Sequence, residues 1–437
     1  MRIGKKVTTG LLILVLMVVT SIGCSKKSEL EIENAEITVL VSDQGTSSLG
    51  VQLNALLEKS KQVVEENNEG IEVTIVKVPP EQYQDKIKEL SPDVFWFNPT
   101  EIENLEQEGK LYDLNSLLDS ENVDISKFYS PNIIVMTTVN DKFLGVTLSA
   151  YNMSIGYSKD WFDKANLPYP LADWTWEDFE AAAIRLKQAN GAYSQFAYGA
   201  MIPLHPEFIE TIAMGRGSGF LSPDGSQATD FWDGPQAVET VLWLRQLIDN
   251  GAIPALAGSE MGTIVDKLGT ETGMVMSFTP TINELAKSSD RIGIVGLPHF
   301  ADGIKVSAPY ITVMGISSTS KYPQAAWKYI NSLTLEDNPI TREAFQMGVS
   351  ISSAVFEKIG DQVEPAIAID YNELQYAQKR SSMKSKEWGN ILNRYAGEWM
   401  LLFETDDDPA PRLHEMAKGI DSMLAEARVK NTEGSQH

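Results

Sequence analysis

The sequence predicts an α/β chain built as more than one lobe, on three observations. Runs of β-branched and aromatic residues alternate with stretches of helical periodicity from residue 36 onward, a pattern of strands and helices that implies a parallel sheet. At 437 residues the chain is longer than one simple core organises, since domains run to about 100–200 residues each. Hydrophobic residues make up 43% and charged residues 22%, which suits a globular interior and excludes a disordered or fibrous chain.

The chain opens on a basic start, Arg2, Lys5 and Lys6, followed by an apolar stretch over 7–22 that is too short and wrongly flanked for a membrane span. Residues 1–23 therefore read as a secretory signal. It ends Ser21-Ile22-Gly23-Cys24, which resembles the lipobox of bacterial lipoproteins, where cleavage precedes a cysteine that receives the lipid; Ser21 stands where Leu is usual. The resemblance implies lipidation at Cys24, and without it the segment is an ordinary signal peptide. Cys24 is the sole cysteine, so no intramolecular disulfide can form and stability rests on burial and hydrogen bonding. The polar stretch over 24–35 reads as a tether, through which an acylated cysteine holds the folded part at a membrane surface.

Beyond the tether, 36–41 alternates and is rich in Ile and Val, 42–48 is a polar loop, and 49–67 carries apolar residues at helical spacing. A second β-branched run covers 71–78, Pro79-Pro80 breaks the chain, and after a short amphipathic helix Pro92-Asp93-Val94-Phe95-Trp96-Phe97 forms a third strand. In open parallel sheets ligands bind beyond the carboxyl ends of the strands, which points to Asp43, Gln44, Asn98 and Thr100. The middle is more helical: Thr175 caps a helix that carries Glu177 and Asp178 in its first turn and stops at Asn190-Gly191. Another helix covers 235–250, strands follow at 273–277, 292–297 and 310–316, and helices at 324–333, 386–403 and 409–429 finish the chain. Asp406-Asp407-Asp408 before Pro409 reads as a helix start rather than a metal site.

Composition and motifs exclude several chemistries. The formal charge of -24 repels phosphate backbones, which makes nucleic acid the poorest partner. His205, His299, His414 and His437 are the only histidines, no HExxH or CxxC occurs, and neither a metal site nor a cofactor is implied. Gly215-Arg216-Gly217-Ser218-Gly219 lacks the Lys-Ser/Thr of a phosphate loop and the spacing of a dinucleotide loop, and Arg216 breaks a GxSxG pattern, so it reads as a turn. With 60 acidic residues no carboxylate pair can be singled out for glycoside hydrolysis.

From Tyr157 the order of features is distinctive: Tyr157-Ser158-Lys159-Asp160-Trp161-Phe162, Asn166-Leu167-Pro168, then Trp174-Thr175-Trp176-Glu177-Asp178-Phe179. Ala237-Val238-Glu239-Thr240-Val241-Leu242-Trp243-Leu244 follows, with Gly273-Met274-Val275-Met276, Gly293-Ile294-Val295-Gly296-Leu297-Pro298 and Gly315-Ile316-Ser317-Ser318-Thr319-Ser320-Lys321 in sequence. Upstream, Pro92-Asp93-Val94 and the stretch from Leu105 to Leu114 also fit. This resembles the extracellular solute-binding proteins of sugar ABC transporters, the group that includes maltose-binding protein, over roughly 36–350. Ser158 stands where the family usually has Asn, and Phe278-Thr279 where many members place a sugar-stacking Trp.

The resemblance implies the two-lobed periplasmic-binding-protein-like fold of type II, with the ligand cleft between lobes. Lobe 1 is then 36–139 plus 317–358 and lobe 2 is 140–316 plus 359–430, with hinges near Asn140 and over 310–316. A sugar needs paired donors and acceptors for its hydroxyls and aromatic rings for its C–H faces. Asp43, Gln44 and Asn98 supply the first from lobe 1. Trp96 and Phe97 point to opposite sides of their strand, and Phe97 is assigned to the cleft. The family implies Tyr151, Asn152 and His205 in lobe 2, with Phe208 beside them, while Phe278 and Tyr310 are the aromatic candidates nearer the second hinge. Trp388 and Trp399, on late helices, read as core or lobe-packing residues. The expected function is capture of a mono- or oligosaccharide by lobe closure and delivery to the membrane permease subunits of an ABC importer. The protein is expected to act as a monomer, lipid-anchored to the outer face of the cell membrane, and not as an enzyme. A non-sugar solute, a sensor partner and a glycoside-processing enzyme remain open alternatives.

Overall fold

Two β-sheets of five and four strands organise the described residues, each inside its own hydrophobic core. The computed structural model describes residues 34–43, 45, 48–191, 197–256 and 263–434, which leaves Cys24 and Gln44 outside the described residues. Its strands are β1 (Ala35–Ser42), β2 (Ile71–Val78), β3 (Val94–Phe97), β4 (Thr138–Val139), β5 (Lys142–Phe143), β6 (Val146–Tyr151), β7 (Met153–Ser158), β8 (Tyr198–Met201), β9 (Thr272–Phe278), β10 (Ile292–Gly296) and β11 (Tyr310–Ile316). The first sheet runs β2-β1-β3-β11-β6 and the second β10-β7-β9-β8, while β4 and β5 pair alone as a hairpin.

β1 pairs parallel with β2 and β3, as strands linked by helical crossovers do. The sheet is nevertheless mixed, because β11 arrives from the other lobe and slots antiparallel between β3 and β6. Leu56 and Leu57 of the helix Ser48–Asn67 and Trp327 and Ile330 of Pro323–Thr334 close over this sheet. The second core gathers Trp176, Phe179 and Leu186 from Trp176–Asn190, Val241 and Leu244 from Pro235–Asp249, and Trp399 and Leu402 from Trp388–Glu404. Thr175 caps its helix as its sequence position requires. Its hydroxyl accepts from the Asp178 amide at 3.1 Å and the Asp178 carboxylate accepts from the Thr175 amide at 3.0 Å, a reciprocal capping box. Asp408 accepts from the Ala410 amide at 3.0 Å and so opens the last helix, Pro409–Gly434.

Sheet membership places the changes of lobe differently from the sequence. β6 belongs to the first sheet and β7 to the second, so the first passage is the single residue Asn152 and not Asn140. Asn140 and Asp141 instead take left-handed φ of 49° and 62° and turn the β4–β5 hairpin. β11 lies in the first sheet throughout, so the second passage precedes Tyr310 rather than running through 310–316. The third passage runs from Ser353–Ile359, packed on the first-lobe helix Pro339–Gln346, to Pro365–Glu373, packed on β10.

The three passages are bonded to one another. The Asn152 amide and side-chain Nδ2 donate to the Asp370 carboxylate at 2.7 and 2.9 Å, and Nδ2 also reaches the Asp370 carbonyl at 2.9 Å. Ser307 donates its hydroxyl to the Glu373 carbonyl at 2.8 Å, and its own carbonyl accepts from the Gln378 amide at 2.8 Å. Glu373 forms an ion pair with Lys305 at 2.8 Å in a nearly enclosed site.

Candidate ligand-binding cleft

A cleft of about 590 Å³ opens between the lobes beyond the carboxyl end of β3. Asn98, Thr100, Glu101, Asn104 and Lys110 form its first-lobe wall, Glu207, Arg380 and Trp388 its second-lobe wall, and Tyr310 and Ile311 at the start of β11 its floor. Behind the floor stands an aromatic cluster. Tyr151 stacks on Tyr310 with ring centroids 5.7 Å apart and planes 9° from parallel, and Phe278 meets Tyr310 edge-on at 5.0 Å. Strand register builds this cluster, since Tyr310 sits opposite Tyr151 in the first sheet and Phe278 opposite Met153 in the second. Each of the three rings keeps part of its surface open.

The second-lobe wall is ionic. Glu207 lies in the first turn of the helix Pro206–Met214, where its charge suits the helix N-terminus. Its carboxylate accepts from the Trp388 indole at 3.1 Å and from the Tyr310 hydroxyl, and faces the Arg380 guanidinium at 3.7 Å. Burial pushes the Glu207 carboxyl up, but Arg380, then the Tyr310 hydroxyl, more than offset it and hold the group below its usual range. Burial also pushes the Tyr310 hydroxyl up, so it stays protonated as a donor. Arg380 lies over the Tyr310 ring at 4.4 Å and is 1% exposed, yet its Nε and Nη1 meet no acceptor among the described residues. Buried donors of this kind cost stability until a partner fills them.

A family model for bacterial extracellular solute-binding proteins matches residues 61–352. The chain belongs to the bacterial extracellular solute-binding proteins. This solute-binding protein is 24% identical over 223 residues to a Brucella abortus protein described as a binding protein, a match covering 49% of this chain and 50% of that one. The chain thus spans about half the length of the curated relatives it matches. Among solved structures it is similar to an ABC substrate-binding protein of Listeria monocytogenes in complex with cycloalternan, at 19% identity and a TM-score of 0.68, covering 90% of this chain and 100% of that one. It is also similar to the sugar-binding protein MalE of Xanthomonas citri, at 16% identity and a TM-score of 0.73, covering 91% of this chain and 99% of that one. The solute-binding protein therefore has the two-lobed α/β fold of the type II periplasmic binding proteins, as its sequence resemblance implied.

Of the residues picked from the sequence of this solute-binding protein, Tyr151, Phe278 and Tyr310 come together in one cluster, and Asn98 lines the cleft beside them. Others fall elsewhere. Phe97 is 4% exposed and lies in the first core, where Gly145 and Gly315 leave it space; a Cβ at Gly315 would stand 2.6 Å from its ring. Trp96 is buried as well, so neither side of β3 offers a ring to the cleft. Asn152 is wholly buried, and its amide and side-chain Nδ2 are spent on Asp370, so it does not face the cleft. Asp43 is exposed and caps the Gly45 amide at 2.9 Å. His205 caps the helix Pro206–Met214 through Nδ1, and Phe208 is core. Sequence reasoning missed Glu207 and Arg380 and read Trp388 as a core or lobe-packing residue, whereas Trp388 belongs to the second core and also reaches the cleft. The signals were present: an acid in a helix first turn, and a basic stretch, Lys379 to Lys386, in an acidic chain. Among the described residues no group of three or more His, Cys, Asp or Glu is placed to hold a metal ion, and no helix is long and apolar enough to cross a membrane.

Proposed function

We propose that this solute-binding protein captures a carbohydrate outside the cell by closing its two lobes and delivers it to an ABC importer. The observation that carries the reading is the cleft itself, floored by the partly open Tyr310 ring, with Tyr151 and Phe278 packed behind it, beside side chains able to pair with hydroxyls, including an arginine with unfilled donors. The similar structures named above include a cycloalternan complex and a protein described as sugar-binding, which supports the choice of ligand class. Both lobes line the cleft, so closure adds contacts that the open form lacks, and the ligand shifts the population toward the closed form by that difference. Arg380 and the Tyr310 hydroxyl hold the Glu207 carboxyl below its usual range, which suits a hydrogen-bond acceptor for a sugar hydroxyl, and on this reading the sugar is returned intact. The lipobox-like ending at Cys24 supports a lipid anchor on the outer face of the membrane, with the protein acting there as a monomer.

The test is thermal unfolding of the purified protein with mono- and oligosaccharides, amino acids, polyamines and oligopeptides. Ligand at a hundred times its dissociation constant adds about 2.7 kcal/mol to the folded state, a rise of a few degrees. A sugar that stabilises and is recovered unchanged supports the reading. Stabilisation by another solute alone overturns the carbohydrate assignment, and turnover of a sugar overturns capture without chemistry.

A further inference from the structure

The charge around this cleft runs against the rest of the molecule. The chain carries 60 acids against 36 Lys and Arg, yet residues 379–386 hold four basic residues and no acid; Arg380 and Lys386 line the cleft, while Lys379 pairs with Glu103 at 3.6 Å and Lys384 donates to the Pro223 carbonyl. Across from it, Lys88 and Lys110 also line the opening. Lys110 pairs with Glu108 at 2.6 Å, while Lys88 and Lys386 take no ion pair among the described residues. Glu108 is held below its usual range by its hydrogen bond to Lys110, with Lys386 and Lys88 adding to the effect, so three lysines share one carboxylate. The carboxylate of Glu101 is already committed to the Gln84 side chain at 2.7 Å and the Asn98 amide at 2.9 Å. Deeper in, Arg380 keeps Nε and Nη1 without acceptors, and Glu207, its one ionic neighbour, is shared with Trp388 and Tyr310.

A neutral hydroxyl can accept from Arg380 but leaves Lys88, Lys110 and Lys386 with Glu108 alone to share, whereas a carboxylate answers both needs and makes the stronger, charge-assisted bonds. We propose that the saccharide taken by this cleft carries a carboxylate, as a uronic acid residue does, held by Arg380 with Lys88 and Lys386 beside it. The inference rests on the carbohydrate reading above and adds the charge of the ligand to it.

The experiment is calorimetric titration of the purified protein with matched pairs: glucose and glucuronate, galactose and galacturonate, and the α-1,4-linked trimers of galactose and galacturonate. At least one acid form should bind ten times more tightly than its neutral partner, and the preference should shrink as salt is raised. Lys88 and Lys386 are exposed, so the double variant K88Q/K386Q should fold normally and lose most of the acid-over-neutral preference. Equal affinity for both members of each pair, or a preference untouched by the double variant, overturns the proposal and leaves carbohydrate capture standing. Tighter binding of a sulfated galactose trimer than of trigalacturonate overturns the carboxylate assignment. Failure of every saccharide while an amino acid, polyamine or peptide binds means that the carbohydrate reading itself has failed.

Discussion

Replacing Asp370 with Asn probes how the passages between the lobes are held. The Asp370 carboxyl is buried, with Asn152 donating to it from amide and side chain, and the charge of Glu373 also disfavours its ionisation. Burial pushes the carboxyl up to about 7, more than the Asn152 hydrogen bonds lower it. In the unfolded chain an Asp ionises near about 3.9. Between those values the native state keeps a proton that the unfolded chain has released. The stabilising contribution is therefore complete below about pH 4 and is lost as pH rises through 7. The gap corresponds to about 4 kcal/mol. Asn retains the shape and the acceptor for Asn152 but cannot ionise. Urea unfolding of both proteins from pH 4 to 8 should show the variant gaining on the wild type by about 1.4 kcal/mol per pH unit, and then levelling off. A stability difference that stays constant over that range would refute the reasoning, because the passages would then be holding the charged carboxylate.

Three further outcomes are expected. Phe97→Ala should lower stability by about 3–5 kcal/mol, read as a fall in Tm of roughly 10 °C, while the folded fraction keeps its ligand affinity within threefold, since the ring fills the first core and not the cleft. Trp388→Phe keeps a ring but removes the indole donor to Glu207, and titration should show ligand affinity reduced about five- to tenfold, in line with the worth of one hydrogen bond to a charged group. Cys24→Ser should move the protein from the membrane fraction of the expressing cell into the soluble one, which fractionation and blotting will read directly.

The long elements were legible in the sequence because periodicity and caps agree there. The strand read at 36–41 is β1, the run at 71–78 is β2, and the helix capped at Thr175 ends at Asn190 as its Asn-Gly stop indicates. Short helices such as Ser353–Ile359 and Pro365–Glu373 passed unread, since about two turns of chain carry too little periodicity to distinguish them from buried loops. β6 and β7 form nearly one apolar run, and nothing local says that Asn152 parts it between two sheets. The site was half legible for the same reason. Tyr151, Phe278 and Tyr310 lie at strand ends, where pattern and topology reach, whereas Arg380 and Glu207 meet only through tertiary packing of segments far apart in the chain. Phe97 was misplaced because alternation tells which residues share a face but not that both faces of β3 are covered.

The position of β11 bears on the order in which the molecule can assemble. The ribosome delivers the amino terminus first, and β1, β2, β3 and β6 all emerge before the strand that lies between β3 and β6. Until residue 316 is available those two strands have facing, unfilled edges, and everything from Met153 to the second passage must come through in the meantime. Pairings of such long sequence separation form slowly. It also means that a fragment ending at Tyr151 would lack the staple of its own sheet and would seek one in a neighbour.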